Sequence, residues 1–504
     1  MKSSSTWVIP SIIFRHFSHP MFTSFYLFFL IWIQFLGFSP VQQPKKPNVL
    51  FLFADDQRAD ALGIAGNPYI LTPHIDQLAR EGSRFTNAYV MGGNHGAVCM
   101  ASRAMLMSGM NLFRVYDRLK DVHTMPMAFA EAGYETYGTG KWHNEREAFE
   151  SGFHHGKNVF LGGMADHFGI NLRDYDEDGK LGEPTVKSYS TEVFAETAIG
   201  FIKDHTSKGN GKPFFCYVSF TVPHDPYSPE GPFIGHYPDG SLPLPGNYMP
   251  FHPFEFDDLM VRDENLTGWP RRPEVIQMIL SDYYALVTHL DQQIGRIIEQ
   301  LKASGQYENT IIVYTADNGL AVGSHGLLGK QNLYEHSTKI PLIIAGPGVP
   351  AKETFDALAY IHDLFPTLAE LSGVPTSGSL DGESLVPVIQ GAKPMVRSSL
   401  FSAYRHTIRA VRDGQWKLIR YPERDYTQLF NLESDPYELN NLAEKPAHRA
   451  TVERLRGLLG EWQEAYGDDQ AWTASLIKPK AYDPDTLVRK PDRWQPEYVL
   501  KRYF

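Results

Sequence analysis

The sequence is poor in cysteine, with only two in 504 residues, Cys99 and Cys216. A framework of several disulfides is therefore excluded. Cys216 lies within the apolar run FFCYVSF, which predicts a buried strand and a buried thiol. Cys99 instead precedes the polar residues Ser102 and Arg103, at the predicted start of a helix. Its presence in a chain that otherwise avoids cysteine indicates a chemical role.

The sequence also lacks an excess of positive charge, an internal repeat and a disorder-like composition. Its formal net charge is −11 at pH 7. This charge argues against nucleic acid or a generally anionic surface as the partner. An anionic substrate would have to be held by a local basic pocket. The length predicts one large domain, or a large domain with a small one.

One long hydrophobic run is present near the N-terminus, MFTSFYLFFLIWIQFLGF at residues 21–38. Basic residues precede it and SPVQQPKKP follows it, which is the pattern of an export signal. The run is slightly long for a cleaved signal, so an uncleaved membrane anchor is the alternative. We expect residues 1–40 to be a signal peptide or N-terminal hydrophobic segment. The mature chain would begin near Val41, in the periplasm or outside the cell, with the membrane as a partner only if the segment is not cleaved.

From residue 46, apolar runs repeatedly end in polar side chains. Amphipathic segments such as TPHIDQLAREGSRF separate these runs and predict helices. The alternation indicates an α/β fold with a mostly parallel central sheet sandwiched by helices. In such sheets ligands bind outside the carboxyl ends of the strands, so the polar residues should share one cleft. These strand-end residues are Asp55 and Asp56, Lys141 and His143, His224, and Asp317 and Asn318.

The pattern changes from about Gly382. The segment TIRAVRDGQWKLIRY contains a turn between two predicted strands, and ATVERLRGLLGEWQEAYG predicts a helix. We therefore expect a catalytic α/β domain over residues 46–381. Residues 382–504 would form a smaller C-terminal α+β subdomain with an antiparallel sheet and a tail. The tail after Asp468 is expected to wrap the surface.

The candidate site residues, at the strand ends and in the segments near them, fall into two chemical groups. Asp55, Asp56, Asp317 and Asn318 are oxygen donors, which suit a hard divalent cation such as Ca²⁺ or Mg²⁺. The second group is cationic or can become so, and together its members would hold a small, multiply charged oxyanion. This group comprises Arg103, Lys141, His143, His224, His325 and Lys330.

Cys99 stands where a helix N-terminus would favour an anionic nucleophile. Arg103 lies four residues further on and on the same helix face. A thiolate beside a hard cation is nevertheless a poor match, because sulfur prefers softer metals. An oxygen nucleophile would suit this position better.

The segment CMASR resembles the signature of type I sulfatases, which belong to the alkaline phosphatase superfamily. In that family a Cys-x-Pro/Ala-x-Arg segment directs oxidation of the cysteine to Cα-formylglycine. Ala101 stands where proline is commoner, and the maturation enzymes of the family accept alanine. The resemblance extends, in the family's order, from about residue 46 to residue 445. The other segments that carry it are NVLFLFADDQRADAL, YGTGKWH, VSFTVPHDPY, TADNGLAVGSHGLLGK and LFNLESDPYELNNLA.

The resemblance implies a sulfuric ester hydrolase whose nucleophile is the formylglycine (3-oxoalanine) made from Cys99. Arg103 and His143 would hold the hydrated aldehyde, and His143 would later deprotonate it so that sulfate is released. Sulfate oxygens would be bound by Lys141, His224 and Lys330, with His224 protonating the leaving alcohol. Ca²⁺, less readily Mg²⁺, would be coordinated by Asp55, Asp56, Asp317, Asn318 and the formylglycine.

Export, an acidic body and a basic pocket suggest a sulfated polysaccharide or its oligosaccharide fragments as substrate. His325 is a candidate for a subsite. A formylglycine-generating maturation enzyme would be a partner. The alternatives are a formylglycine-dependent phosphodiesterase or phosphonate monoester hydrolase, and a non-catalytic glycan-binding protein. Candidate sugar contacts in predicted loops are His95, Arg146, His154, His155, Arg271, Arg272, Arg405 and His406.

Overall fold

The computed structural model describes residues 45–489, 492 and 495–504, together with residues 8, 10 and 11. The hydrophobic run of the predicted export segment, residues 21–38, lies outside the described residues. Residues 46–504 form one compact unit, and its division after residue 381 stays a prediction. Among the described residues, no helix has both the length and the apolar character needed to cross a membrane.

In the described part of the chain, fifteen strands form a large sheet, a small sheet and a separate two-stranded ribbon made of β6 and β7. Their bounds are β1 Asn48–Ala54, β2 Ser83–Tyr89, β3 Gly92–Gly93, β4 Glu135–Lys141, β5 His155–Phe160, β6 Ile170–Leu172, β7 Thr185–Lys187, β8 Phe214–Ser219, β9 Thr310–Ala316, β10 Lys339–Ala345, β11 Glu353–Tyr360, β12 Ser399–Tyr404, β13 Ile408–Asp413, β14 Trp416–Tyr421 and β15 Tyr426–Asn431.

The large sheet has the strand order β11-β2-β10-β9-β1-β8-β4-β5. Strand β10 is antiparallel to both of its neighbours, and every other pairing is parallel. The predicted mostly parallel sheet is confirmed. Strands β1, β8 and β9 are buried along their whole length, as their continuous apolar sequences predict.

Strand register determines which polar residues meet at the carboxyl edge. Strand β1 pairs in parallel with β9 up to Ala54 opposite Ala316, and with β8 up to Phe53 opposite Ser219. The residues that follow β1 and β9 therefore leave the sheet at the same level. Asp55 and Asp317 are brought together in this way.

Helices flank the large sheet. The predicted helix over residues 72–85 ends at Glu81, because Gly82 passes so close to β10 that a Cβ atom would lie 2.3 Å from the Ile344 carbonyl oxygen. The helices are α1 Pro73–Glu81, α2 Val98–Ser108, α3 Met125–Glu131, α4 Arg146–Gly152, α5 Ser190–Lys208, α6 Pro273–Ala303, α7 Glu335–Thr338, α8 Leu364–Ser372, α9 Val386–Ile389, α10 Arg449–Tyr466 and α11 Glu497–Tyr503.

The small sheet has the order β15-β14-β13-β12-β3, and β12 to β15 are antiparallel. The predicted hairpin is confirmed as β13 and β14, joined by Asp413-Gly414-Gln415. Strand β12 also pairs in parallel with β3, and the Arg405 N–H donates to the Gly93 carbonyl at 2.8 Å. The C-terminal part of the chain thereby contacts the loop that leads to Cys99.

The C-terminal tail was expected to wrap the surface, and its last helix, α11, is anchored to α6. Tyr503 is buried, and its hydroxyl donates to the Asp282 carboxylate at 2.6 Å. The neighbouring Gln495 is also buried. The tail therefore adds buried side chains to the body of the protein.

Candidate active site

Acidic side chains converge where β1 and β9 end. The backbone N–H of Asp56 donates to Asp317 Oδ1 at 2.9 Å, and Asn318 Nδ2 lies 3.3 Å from Asp56 Oδ1. Asp56 has a φ of 65°, so the chain turns sharply directly after the strand. All four oxygen-donor residues predicted from the sequence are buried in this cluster.

The donor set fits a hard divalent cation. Ligand atoms of Asp55, Cys99 and Asp317 all lie within 4.8 Å of one another. Among the described residues, no other set of three or more His, Cys, Asp or Glu side chains places its ligand atoms this close together. Asp55 Oδ1 and Asn318 Oδ1 are buried and accept no hydrogen bond from any residue that the structure describes. Buried oxygen atoms with unused lone pairs are the ligands that such a cation takes.

Cys99 is the second residue of α2 and is 3% exposed. Its Sγ lies 3.2 Å from His143 Nδ1 and 3.9 Å from Lys141 Nζ. Burial raises the pKa of the Cys99 thiol, although Lys141 opposes this effect. The unmodified side chain is therefore a protonated thiol and a weak nucleophile.

Arg103 connects the elements that meet at the site. Its guanidinium is fully buried and contacts the Asp317 carboxylate at 2.8 and 2.9 Å. It also donates to the Lys141 carbonyl at 2.9 Å and to Ser219 Oγ at 2.7 Å. One side chain thus ties α2 to the ends of β4, β8 and β9.

Two buried lysines lie against the acidic cluster. Lys141 Nζ donates to Asp55 Oδ2 at 2.6 Å, and Lys330 Nζ contacts both Asp56 oxygens at 2.5 and 2.6 Å. Burial alone would lower the pKa of Lys330, but the negative charge of Asp56 and its neighbours holds it well above its ordinary value. Burial raises the pKa of Asp56 to about 6, and Lys330 limits that rise.

Two histidines complete the cationic group. Burial, together with the nearby positive charges, holds the pKa values of His143 and His224 well below the ordinary value. His224 Nε2 lies 3.5 Å from Asp56 Oδ2, while its Nδ1 faces Asp225. Both rings are neutral here, and a bound dianion or monoanion would favour their protonation.

Seven of the eight candidate sugar contacts are at least partly exposed, and Arg271 is the exception. His95 pairs with Asp117 at 2.6 Å and Arg405 pairs with Asp258 at 3.0 Å. Both lie next to Gly93, at the loop that leads to Cys99. Arg272 and His406 are more exposed, with acidic partners at 3.5 and 3.4 Å.

The other candidates are placed differently. His154 and His155 stand at the start of β5, the amino edge of the sheet, and so lie at the opposite end from the site. The Arg146 guanidinium donates a hydrogen bond to the Leu181 carbonyl oxygen. Arg271 is fully buried in an ion pair with Glu264 at 2.6 Å. The structure does not bring these four residues to the cluster at the carboxyl ends.

His325 is not at the acidic cluster either. It is buried and stacks on Tyr334, with a centroid separation of 4.0 Å. Its Nδ1 lies 3.2 Å from His336 Nε2, and its Nε2 lies 3.1 Å from the Glu438 carbonyl oxygen. These contacts join the loop before Lys330 to the C-terminal part of the chain.

Sequence reasoning missed several residues that support the site. Ser219, which accepts from Arg103, is the last residue of β8, and the strand-end pattern could have identified it. Gln331 donates to the Asp263 carboxylate at 2.7 Å and to the Gly96 carbonyl at 2.9 Å. Asp263 lies in a short 3-10 helix, Arg262–Leu266, and no sequence signal marks it.

Carboxylates, lysines and a buried cysteine at the carboxyl edge of the sheet are suited to the hydrolysis of an anionic ester. Comparison with known families is more specific. The family model "Sulfatase" matches residues 47–374, and the model "N-sulphoglucosamine sulphohydrolase, C-terminal" matches residues 323–465. The chain belongs to the sulfatase family and is a sulfuric ester hydrolase.

Curated relatives resemble the chain along most of its length. It is 28% identical to the N-acetylglucosamine-6-O-sulfatase of Bacteroides thetaiotaomicron, with 90% of each chain covered. It is 29% identical to the ulvan-active sulfatase of Formosa agariphila, covering 85% of this chain and 83% of that protein.

Solved structures show the same fold. One contains its substrate D-glucosamine-2-N,6-O-disulfate and superposes with a TM-score of 0.71 at 24% identity, covering 85% of this chain and 99% of the other. The phosphonate monoester hydrolase of Silicibacter pomeroyi superposes with a TM-score of 0.65 at 24% identity, covering 84% and 96%. The predicted fold is confirmed, and both sulfate and phosphonate hydrolases adopt it.

Proposed function

We propose that this sulfatase removes sulfate from a sulfated poly- or oligosaccharide, and that formylglycine made from Cys99 is its nucleophile. One observation carries the proposal. Cys99 Sγ is within 4.8 Å of carboxylate oxygens of Asp55 and Asp317, and 3.9 Å from Lys141 Nζ. An oxygen nucleophile at this position would stand between a cation site and the basic side chains that hold an oxyanion.

The cation is proposed to be Ca²⁺, because the donors are oxygen atoms and two of them accept no hydrogen bond from the described residues. When bound, it would supply positive charge that stabilises the nucleophile and the transferred sulfate group. The residues that would hold it are Asp55, Asp56, Asp317, Asn318 and the modified Cys99.

Formylglycine would supply a hydrated aldehyde, with one hydroxyl to attack sulfur and a second to permit release of sulfate. Arg103, on the same helix and fixed by Asp317 and Ser219, would hold the position of that residue. His143 Nδ1 lies 3.2 Å from the Cys99 side chain and could take a proton there.

Lys141, Lys330 and His224 would bind the sulfate oxygens. The two lysines are buried and charged, so they can neutralise developing negative charge without reorganising water. Protonation of the leaving alcohol is assigned to His224. Its Nδ1 is occupied by Asp225, which leaves Nε2 on the side of Asp56 and the acidic cluster.

The carbohydrate substrate is supported by the relatives, one named for N-acetylglucosamine-6-O-sulfate and another for ulvan. His95, Arg272, Arg405 and His406 carry partly exposed polar groups that could contact a sugar. The N-terminal sequence supports export to the periplasm or the outside of the cell. A formylglycine-generating enzyme would then be required for maturation.

Peptide mass spectrometry across Cys99 tests the nucleophile in protein produced with a formylglycine-generating enzyme. Conversion should lower the peptide mass by about 18 Da, while the peptide containing the buried Cys216 serves as an unmodified control. An unmodified Cys99 in a fully active enzyme would contradict the proposal. Faster hydrolysis of bis-p-nitrophenyl phosphate than of p-nitrophenyl sulfate would favour the phosphodiesterase alternative.

A further inference from the structure

The C-terminal tail reaches the side of His224 that faces away from the acidic cluster. Gln495 is buried, and its Nε2 donates to Asp225 Oδ2 at 2.7 Å. The other oxygen of that carboxylate lies 3.2 Å from His224 Nδ1. The side chain of Gln495, in the tail, is thus connected to the His224 ring through the Asp225 carboxylate.

Arg262 fixes the same carboxylate from another direction. Its guanidinium makes two parallel contacts with Asp225, one of them 2.7 Å long. Its Nε donates to Asp492 of the tail at 2.6 Å. Both carboxylate oxygens of Asp225 therefore accept hydrogen bonds from Arg262, which also binds Asp492 of the tail. One of these oxygens also accepts a hydrogen bond directly from Gln495 of the tail.

The backbone at His224 is fixed as well, because the His167 ring lies 2.9 Å from the His224 carbonyl oxygen. With its backbone held, the remaining freedom of His224 is rotation of the ring. Asp225 limits that rotation with both its backbone and its side chain, because Nδ1 lies 2.8 Å from its carbonyl oxygen and 3.2 Å from its carboxylate. Nε2 is left directed at the cluster. A bidentate arginine contact combined with a third donor gives the carboxylate one orientation.

We infer that Gln495 is a positioning residue, which holds Asp225 so that His224 presents Nε2 to the leaving-group oxygen. The inference rests on the proposed role of His224 as the proton donor. On this inference, the C-terminal tail contributes to the active site by positioning one of its side chains. Positioning of a proton donor matters most when the leaving alcohol cannot depart without the proton.

Leaving-group dependence provides the test. Gln495→Met retains the size of the side chain and removes the hydrogen bond to Asp225. We expect kcat/KM for phenyl sulfate to fall roughly tenfold, while p-nitrophenyl sulfate, whose leaving group needs little protonation, changes less than about twofold. The ratio of the two values is independent of the fraction of enzyme that carries formylglycine.

Glu497→Gln is the matched control, because Glu497 lies in the same tail. Among the residues that the structure describes, it forms an ion pair only with the exposed Lys501. This variant should leave both substrates unchanged. A double variant with Asp225→Asn should show no further loss beyond that of Asp225→Asn alone, because both changes act through one carboxylate. Melting temperatures of all variants establish that they are folded.

An equal loss on both substrates, or no loss, would overturn the inference and leave the proposed function intact. A matured wild-type enzyme that hydrolyses no sulfate ester would contradict the proposed function, and the inference with it. Full additivity of the Gln495→Met and Asp225→Asn effects would also count against positioning through Asp225.

Discussion

Arg271→Ala is expected to destabilise the protein without changing its chemistry. Arg271 is fully buried, and its guanidinium donates to the Glu264 carboxylate at 2.6 Å and to the Thr267 carbonyl at 2.9 Å. It also lies over the Trp269 ring, 3.8 Å from the centroid. Its position in a loop rich in polar residues had suggested a sugar contact, but the structure gives it a supporting role.

The magnitude follows from what remains after the guanidinium is removed. Glu264 would stay buried, with its carboxylate still accepting from the N–H groups of Leu328 and Gly329 at 2.8 Å each. Breaking a buried ion pair by removing one partner costs about 3–5 kcal/mol. Burial raises the pKa of Glu264 and Arg271 opposes that rise, so the variant can relieve part of the cost by taking up a proton.

We therefore expect a loss near the lower end of that range, about 3 kcal/mol. With an unfolding entropy of about 2 cal/mol/K per residue, a unit spanning residues 46–504 should melt about 3 °C lower. Differential scanning calorimetry measures this shift. Rates on a sulfated oligosaccharide, measured well below the melting temperature, should show an unchanged KM.

Arg272→Ala is the control, because Arg272 is adjacent and exposed and its acidic partner Glu274 is 3.5 Å away. Its effect on stability should be within about 0.5 kcal/mol. Equal melting temperatures for the two variants would refute the reasoning. An increased KM for Arg271→Ala at an unchanged melting temperature would instead restore Arg271 as a substrate contact.

Three further predictions concern the cation, the pH dependence and the far edge of the sheet. Saturating Ca²⁺ at about 100 times its Kd should stabilise the wild type by about 2.7 kcal/mol, measured as a rise in melting temperature that Asp317→Asn should reduce or abolish. Burial would raise the pKa of Glu135, but hydrogen bonds that include those from Lys208 and His155 lower it to about 2, against an ordinary value of 4.5. The stabilisation that ionised Glu135 gives to the folded protein is therefore complete above about pH 4.5 and is lost as pH falls towards 2. The difference in melting temperature between wild type and Glu135→Gln should shrink over that pH range. A constant difference would contradict this assignment. His154→Ala should leave the KM for a sulfated oligosaccharide unchanged, and a severalfold increase would show that the amino edge contacts substrate.

The oxygen-donor part of the site could be predicted because Asp55 and Asp317 directly follow apolar strands. These two residues are adjacent in space because β1 and β9 are parallel and in register. The sequence pattern indicates the parallel arrangement and the register only indirectly. Cys99 and Arg103 lie in α2 instead, and the CMASR segment identifies them.

His154 and His155 are candidates for a different reason, as polar residues in loops expected to rim the cleft, but they stand where β5 begins. Their residue type suggested binding, but only the strand direction places them at the opposite edge.

The supporting contacts could not be predicted, because they join segments far apart in sequence. Gln495 and Asp225 are separated by 270 residues. Arg271 and Arg272 are neighbours with the same side chain, yet one is fully buried and the other is exposed. Such differences are decided by tertiary packing, which leaves no local period or spacing in the sequence.

The burial of α2 has a consequence for the order of events in biogenesis. Cys99 is 3% exposed, and Ala101 and Arg103 are fully buried within a continuous helix. An enzyme that recognises this segment cannot reach it in the finished protein. The oxidation of Cys99 that the proposed function requires would therefore precede folding, and the time available for it would be set by how long the newly made chain stays unfolded.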